Sequence, residues 1–73
     1  MRLSEFHYAV TEEFGAYGAV LVRDLVLSAL GSRTAEQAIA AGLPPREVWF
    51  ALCAAEDVPP ARRHGAGLPK PRD

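Results

Sequence analysis

Residues 34–56 read TAEQAIAAGLPPREVWFALCAAE and predict two helices joined by a tight turn. Thr34 and Gln37 have the spacing of a capping box, in which each side chain hydrogen-bonds the backbone of the other residue where a helix begins. Gly42 can adopt the left-handed backbone conformation that ends a helix. Pro45 suits the first position of a second helix, where its missing N–H costs no hydrogen bond. The segment therefore predicts a helical hairpin.

The second helix of this hairpin, residues 46–56, has one apolar face. The members of that face recur at the i, i+1, i+4 and i+7 spacing, and they are Val48, Trp49, Leu52 and Ala55. Trp49 and Phe50 point about 100° apart on a helix, so only one of them can be central in the core. Trp49 in the core is the simpler assignment, although the sequence leaves open which ring is exposed. An aromatic ring left at the rim is a typical anchor for a protein partner.

Upstream of the hairpin, large apolar residues at every fourth position predict a first helix. Phe6, Val10 and Phe14 form its apolar stripe. Ser4 is a suitable N-cap, because its hydroxyl can accept a hydrogen bond from a free N–H of the first turn. Gly15 is expected to loosen or end this helix.

Residues 16–30 are apolar on most sides and predict a second helix. A helix of this kind is usually the central one, so we expect it inside the bundle. A strand over residues 19–22 is disfavoured, because the sequence offers no second strand to pair with it. The predicted fold class is therefore all-α, a compact bundle of four short helices with a helix-turn-helix-like hairpin.

The chain has 73 residues, enough for one domain, which we place at residues 1–60. From residue 61 the composition changes to Pro, Gly and charge without apolar periodicity, which predicts a flexible, disordered tail over residues 61–73. Charge divides near the same place, because residues 1–57 carry four Arg against eight Asp and Glu. The basic residues of the tail are Arg62, Arg63, Lys70 and Arg72. The body is therefore acidic and the tail basic.

Few residues of the chain have the chemistry of catalysis or metal binding. Cys53 is the single cysteine, which excludes an internal disulfide and suits a reducing cytoplasm. His7 and His64 are too few to form a metal cluster with it, and no base or oxyanion loop is evident near the thiol. We therefore expect no enzyme activity, no cofactor and no metal. With no signal peptide and no apolar run near the roughly 20 residues of a membrane helix, we expect a cytoplasmic protein without membrane contact.

The hairpin is also compatible with a helix-turn-helix DNA-binding motif. Such motifs favour a small residue, a glycine and an aliphatic residue at the spacing of Ala38, Gly42 and Val48. Helix 46–56 would then enter the major groove. The residues facing outward would be Pro45, Arg46, Trp49, Phe50 and Cys53. Only Arg46 among them can make a bidentate base contact, and the body is acidic, so nucleic acid is a possible but disfavoured partner.

Five stretches of the chain together resemble one protein family. They are MRLSEF at 1–6, FGAYG at 14–18, RTAEQAIAAG at 33–42, PREVWFALC at 45–53 and DVP at 57–59. This combination is similar to the family called domain of unknown function 3046. The resemblance implies a small actinobacterial, cytoplasmic, helical protein without an assigned activity, often encoded near the recombinase and its regulatory protein. Family members tend to carry a basic residue where this chain has Phe50, which weakens a nucleic-acid role for helix 46–56.

From these observations we predict a non-enzymatic protein-interaction or regulatory module. The residues that we expect at the partner surface are Arg46, Trp49 and Phe50, and the partner is an unidentified protein. A second copy of the chain, bound through Trp49 and Phe50, is an alternative partner. DNA binding through helix 46–56 is the alternative function, and the oligomeric state stays open.

Overall fold

A computed structural model describes residues 1–59 and residue 61. The described chain contains α1 (Leu3–Phe14), α2 (Tyr17–Asp24), α3 (Ala35–Ala40) and α4 (Pro45–Ala55), which confirms the predicted class of four short helices. A short sheet of two strands, β1 (Val26–Leu27) and β2 (Arg33–Thr34), lies between α2 and α3 in the chain. Apart from Ala61, the predicted tail over residues 61–73 lies outside the described residues.

Helix α4 lies at the centre of the core. Its inner face consists of Val48, Trp49, Leu52 and Cys53, all of them fully buried. It packs against α1, α3 and β1, so this face is covered from several sides. Our prediction that the helix within residues 16–30 is the central one is wrong, because α2 buries only Gly18 and Leu21. The central position belongs to the second helix of the hairpin.

Residues 16–30 do not form one helix, which corrects the predicted boundaries. Helix α2 ends at Asp24, and Leu25 has the extended angles φ −78° and ψ 116°. On a continuous helix Leu21 and Leu30 would point about 180° apart, because each residue turns the helix by about 100°. The break brings both side chains into one core, where they are 4% and 8% exposed.

The residues after α2 form an antiparallel hairpin. Strands β1 and β2 pair with Val26 opposite Thr34. Gly31 and Ser32 reverse the chain with left-handed φ angles of 73° and 62°. The Ser32 N–H then donates to the Leu27 carbonyl oxygen at 3.1 Å. The expectation that the sequence offers no strand pair is therefore wrong, and strands of two residues each are too short to give a periodic signal.

The structure tests both predicted N-terminal caps. At α3 the capping box is confirmed, because the Gln37 N–H donates to Thr34 Oγ1 at 3.1 Å and the Thr34 N–H donates to Gln37 Oε1 at 3.0 Å. At α1 the predicted cap at Ser4 is wrong, since Arg2 is the residue that precedes the helix. The Arg2 N–H donates to Glu5 Oε1 at 2.6 Å, so the glutamate satisfies the backbone at this end.

Helices α3 and α4 end in the same way, with a left-handed residue followed by an apolar one. Gly42 has φ 92°, and the Leu43 N–H donates to a carbonyl oxygen in the last turn of α3 at 3.0 Å. Asp57 has φ 56°, and the Val58 N–H donates to a carbonyl oxygen in the last turn of α4 at 2.9 Å. Both ends are Schellman motifs. The buried Val58 side chain thereby fixes the point at which the chain leaves α4.

Substitutions at these two left-handed positions should change stability in opposite directions. Gly42→Ala adds a Cβ that meets no atom within 4 Å, so its cost is that of the backbone alone. We expect the free energy of unfolding to fall by about 1 kcal/mol. Asp57→Gly removes the corresponding backbone strain at the end of α4. It should raise the free energy of unfolding by about 0.5–1 kcal/mol. Urea denaturation followed by circular dichroism measures both changes, and a loss of stability in Asp57→Gly would contradict the assignment.

Candidate interaction surface on helix α4

The outer side of α4 displays Arg46 and Phe50, which lie one helical turn apart. Both residues are exposed, Phe50 to 37%. The Arg46 Cζ lies 5.5 Å from the centroid of the Phe50 ring, within the range of a cation–π interaction. Ala54 follows one turn later on the same side and is also exposed. We call Arg46, Phe50 and Ala54 the α4 surface.

Trp49, predicted at the partner surface together with Arg46 and Phe50, lies in the core. Its ring meets the Phe6 ring at a centroid distance of 6.5 Å and an interplanar angle of 89°. It meets the Phe14 ring at 6.2 Å and 65°. Edge-to-face packing of this kind is favourable for aromatic rings. Trp49 therefore packs α4 against α1 and is not accessible to a partner of the folded chain. The exposed ring of the pair is that of Phe50.

The inner face of α4 is also rotated slightly from its predicted position. Ala55, predicted on the apolar face, is exposed, whereas Cys53 is fully buried. Residues 48, 49, 52 and 53 are the ones that face inward, a spacing of i, i+1, i+4 and i+5. Trp49 and Cys53 were expected to face outward in the DNA-binding arrangement, and the structure corrects both expectations.

A groove of about 280 Å³ lies beside the α4 surface. Its walls come from the C-terminal half of α4 and from β1 with the turn that follows. The lining residues are Val26, Leu27, Ser28, Ala29, Ala51, Ala54 and Ala55. We call this the α4–β1 groove. Sequence reasoning missed it, because the groove requires the chain to leave the helix before Val26, and this residue is 57% exposed at its wall.

A larger groove, of about 620 Å³, lies between α1, α2 and α3. Its lining residues are His7, Val10, Thr11, Gly15, Ala16, Ala19, Val22 and Glu36. His7 is exposed at its rim, and its ring packs edge-on against that of Phe6 at a centroid distance of 5.5 Å. The Thr11 hydroxyl donates to the His7 carbonyl oxygen at 3.0 Å, so this hydroxyl is already used within α1. His7 and Glu36 line this groove from different helices, and no motif in the sequence predicted that they would meet.

Exposed charge along α4 and directly after it is mostly negative. Glu47, Glu56 and Asp57 are all exposed, and Arg46 is the one cation within the helix. Elsewhere on the surface Arg23 pairs with Asp24 at 3.2 Å. The hydrogen bond from Arg23 to Asp24 and the charge of that carboxylate raise the pKa of the arginine above its ordinary value. The acidic character predicted for the body therefore includes the residues around α4.

Comparison with known proteins identifies the family. The profile of the family described as protein of unknown function (DUF3046) matches residues 1–61. The chain belongs to this family. The resemblance inferred from the five stretches is thereby confirmed, and the match to the DUF3046 family covers all four helices, the α4 surface and the α4–β1 groove. No curated protein and no solved structure matches the chain.

The described part of this DUF3046 protein contains neither a metal-binding cluster nor a membrane-spanning helix. Among residues 1–59 and 61, no three His, Cys, Asp or Glu side chains come together in an arrangement that would hold a metal ion. Within the same residues, no helix has both the length and the apolar character needed to cross a bilayer.

Proposed function

We propose that this protein is a non-enzymatic interaction module that binds a protein partner through the α4 surface. The observation that carries the proposal is the exposed Phe50 ring on the central helix of the fold. Because α4 is held in place by its fully buried inner face, the ring stands on a rigid support. Arg46, positioned over the ring, adds a donor group next to an apolar anchor. Aromatic and arginine side chains are the ones that most often dominate binding energy at protein interfaces.

DNA binding through helix 46–56 is the alternative function. It is supported by the helical hairpin and by Arg46 near the start of the second helix, where a recognition helix contacts bases. Useful affinity for DNA normally requires several contacts to phosphate, and Glu47, Glu56 and Asp57 would oppose them. We therefore favour a protein partner over nucleic acid.

Affinity capture tests the proposal. The immobilised wild-type chain and the Phe50→Ala variant are exposed to the same cell extract, and captured proteins are quantified by mass spectrometry. Loss of a central aromatic anchor costs about 2 kcal/mol or more in binding free energy. We therefore expect the captured amount of the genuine partner to be about 30-fold lower with Phe50→Ala than with the wild type. Tyr17→Ala is the matched control, because Tyr17 is an exposed aromatic residue on α2 that lies outside the α4 surface. It should retain the partner.

Two further results bear on the choice between partners. If Phe50→Ala and Tyr17→Ala capture the same proteins as the wild type, the α4 surface is not the binding site.

Fluorescence anisotropy with a DNA duplex at two salt concentrations tests the alternative. Tight binding that weakens steeply with salt would favour DNA over protein. Light scattering over a range of protein concentrations identifies a second copy of the chain as the partner.

A further inference from the structure

We propose that the basic segment of residues 62–73 docks into the α4–β1 groove of its own chain. The segment reads RRHGAGLPKPRD and follows directly on the last described residues. This inference depends on the groove, which shares Ala54 with the α4 surface but contains neither Arg46 nor Phe50.

The first argument is the apolar match. The groove is lined by small side chains, with Ala51, Ala54 and Ala55 on one wall and Val26 and Ala29 on the other. Small residues leave room for one larger apolar side chain. Leu68 is the one large aliphatic residue of the segment. Its burial in the groove would stabilise the docked state through the hydrophobic effect.

The second argument is charge complementarity. Glu47 lies one turn before Ala51 on the same side of α4, and Glu56 and Asp57 directly follow Ala55. All three carboxylates are exposed, and along α4 they flank the lining residues Ala51 and Ala55 on either side. The segment has the matching order, because basic residues stand on both sides of its Leu. Those residues are Arg62 and Arg63 before Leu68, and Lys70 and Arg72 after it.

The third argument is reach. Glu47 and Glu56 are separated by about 14 Å along α4 at 1.5 Å per residue. Running back along α4, the stretch from Arg63 to Lys70 extends to about 23 Å at about 3.3 Å per residue. The segment is therefore long enough to place one basic residue near each of these two glutamates. The buried Val58 sets the starting point beside the C-terminal end of α4.

The covalent link between the segment and the groove allows docking through weak contacts. Exposed ion pairs contribute only about 0.2–1 kcal/mol each, which would not hold a free peptide of this length. A short linker gives the segment an effective concentration on the order of millimolar at the groove. Several weak pairs and one apolar contact then suffice for docking. Because the pairs are exposed, docking should weaken as salt concentration rises.

Paramagnetic relaxation in the full chain tests the proposal. A nitroxide is attached at Asp73→Cys, and Cys53 is fully buried and so protected from the label in the folded state. Backbone amide intensities are compared with those of a second chain in which the four basic residues of the segment are changed to Glu. We expect the label to broaden the amide signals of Val26, Ala29 and Ala51 more in the chain with the wild-type segment than in the chain with the reversed charges. The difference in broadening should be about twofold or more. The excess should disappear in about 0.5 M NaCl, where the Debye length is about 4 Å.

A change in the groove provides an independent arm. Ala55→Arg places a large cation in the groove, and the fold should persist because Ala55 is exposed and a basic residue is favourable near the C-terminus of a helix. We expect it to abolish the excess broadening. Thr11→Arg is the matched control, since it adds the same charge at an exposed site on α1 outside the groove. It should leave the excess broadening in place.

Three outcomes would overturn the proposal. The first is equal broadening in the wild-type chain and in the chain with the reversed segment. The second is an excess that survives in Ala55→Arg or vanishes equally in Thr11→Arg. The third comes from mixing a labelled chain without ¹⁵N with a ¹⁵N chain without label. Broadening of the groove amides in that mixture, at the strength seen within one chain, would mean that the segment docks on a second copy.

Discussion

Trp49→Ala is expected to leave the chain at the edge of unfolding. The Trp49 side chain is fully buried between α1 and α4, where it packs edge-on with Phe6 and Phe14. Truncating a buried Trp to Ala costs about 3–5 kcal/mol, because transfer energy is lost and a cavity remains. A domain of this length has only roughly 4–11 kcal/mol of total stability at about 0.05–0.15 kcal/mol per residue. One substitution can therefore remove most of it.

Urea denaturation followed by far-ultraviolet circular dichroism measures the effect, since Trp49 is the only tryptophan and its fluorescence is lost with the side chain. Phe50→Ala is the matched control on the same helix. Its ring is 37% exposed, and we expect a loss of about 1 kcal/mol or less. If the two variants were equally stable, the assignment of Trp49 to the core and Phe50 to the surface would be wrong.

Gly18→Ala should destabilise the fold, although the same change in a helix normally stabilises it. Gly18 is buried in α2 against α1. A Cβ at this position would lie 2.6 Å from Val10 Cγ1 and 3.0 Å from the Val10 carbonyl oxygen. Helix propensity favours Ala over Gly by about 1 kcal/mol, whereas overpacking of a core costs about 1–3 kcal/mol. Because the backbone oxygen cannot rotate away, we expect the steric term to prevail, with a net loss of about 1–2 kcal/mol.

A double-mutant cycle with Val10→Ala separates the two terms. Removing the Val10 methyl groups relieves the closer contact, so Gly18→Ala should cost less in the Val10→Ala background than in the wild type. Ala19→Gly is the control for helix propensity, because Ala19 is an exposed residue of the same helix. This variant should lose about 1 kcal/mol in the free energy of unfolding. A gain of stability in Gly18→Ala would refute the close approach of α1 and α2.

Features of the fold that depend on neighbouring residues were predictable from the sequence. The capping box of Thr34 and Gln37, the helix end at Gly42 and the helix start at Pro45 each follow from the chemistry of one or two side chains. Such chemistry acts within one turn of helix, so it survives whatever the rest of the chain does. The hairpin and the four-helix class were therefore recovered.

Features that depend on the core as a whole were not predictable in this way. Hydrophobic residues in 16–30 satisfy a helical pattern, yet Leu21 and Leu30 can share a core only if the helix breaks between them. That break also creates the α4–β1 groove, so the groove was missed together with it. At the α4 surface, Arg46 and Phe50 were predicted as partner-binding residues and are exposed, but Trp49 was predicted there as well, because the pattern alone left open which of the two adjacent rings enters the core.

Thr34 is both the last residue of β2 and the residue that caps α3. Its extended backbone pairs with Val26 in the sheet, and its hydroxyl oxygen accepts a hydrogen bond from the Gln37 N–H in the first turn of the helix. Opening the strand pair therefore also frays the helix, which makes the turn region and α3 a single cooperative unit of local unfolding. Valine would keep the β-branched shape without the hydroxyl, and serine would keep the hydroxyl without the branch, so threonine alone fits both demands.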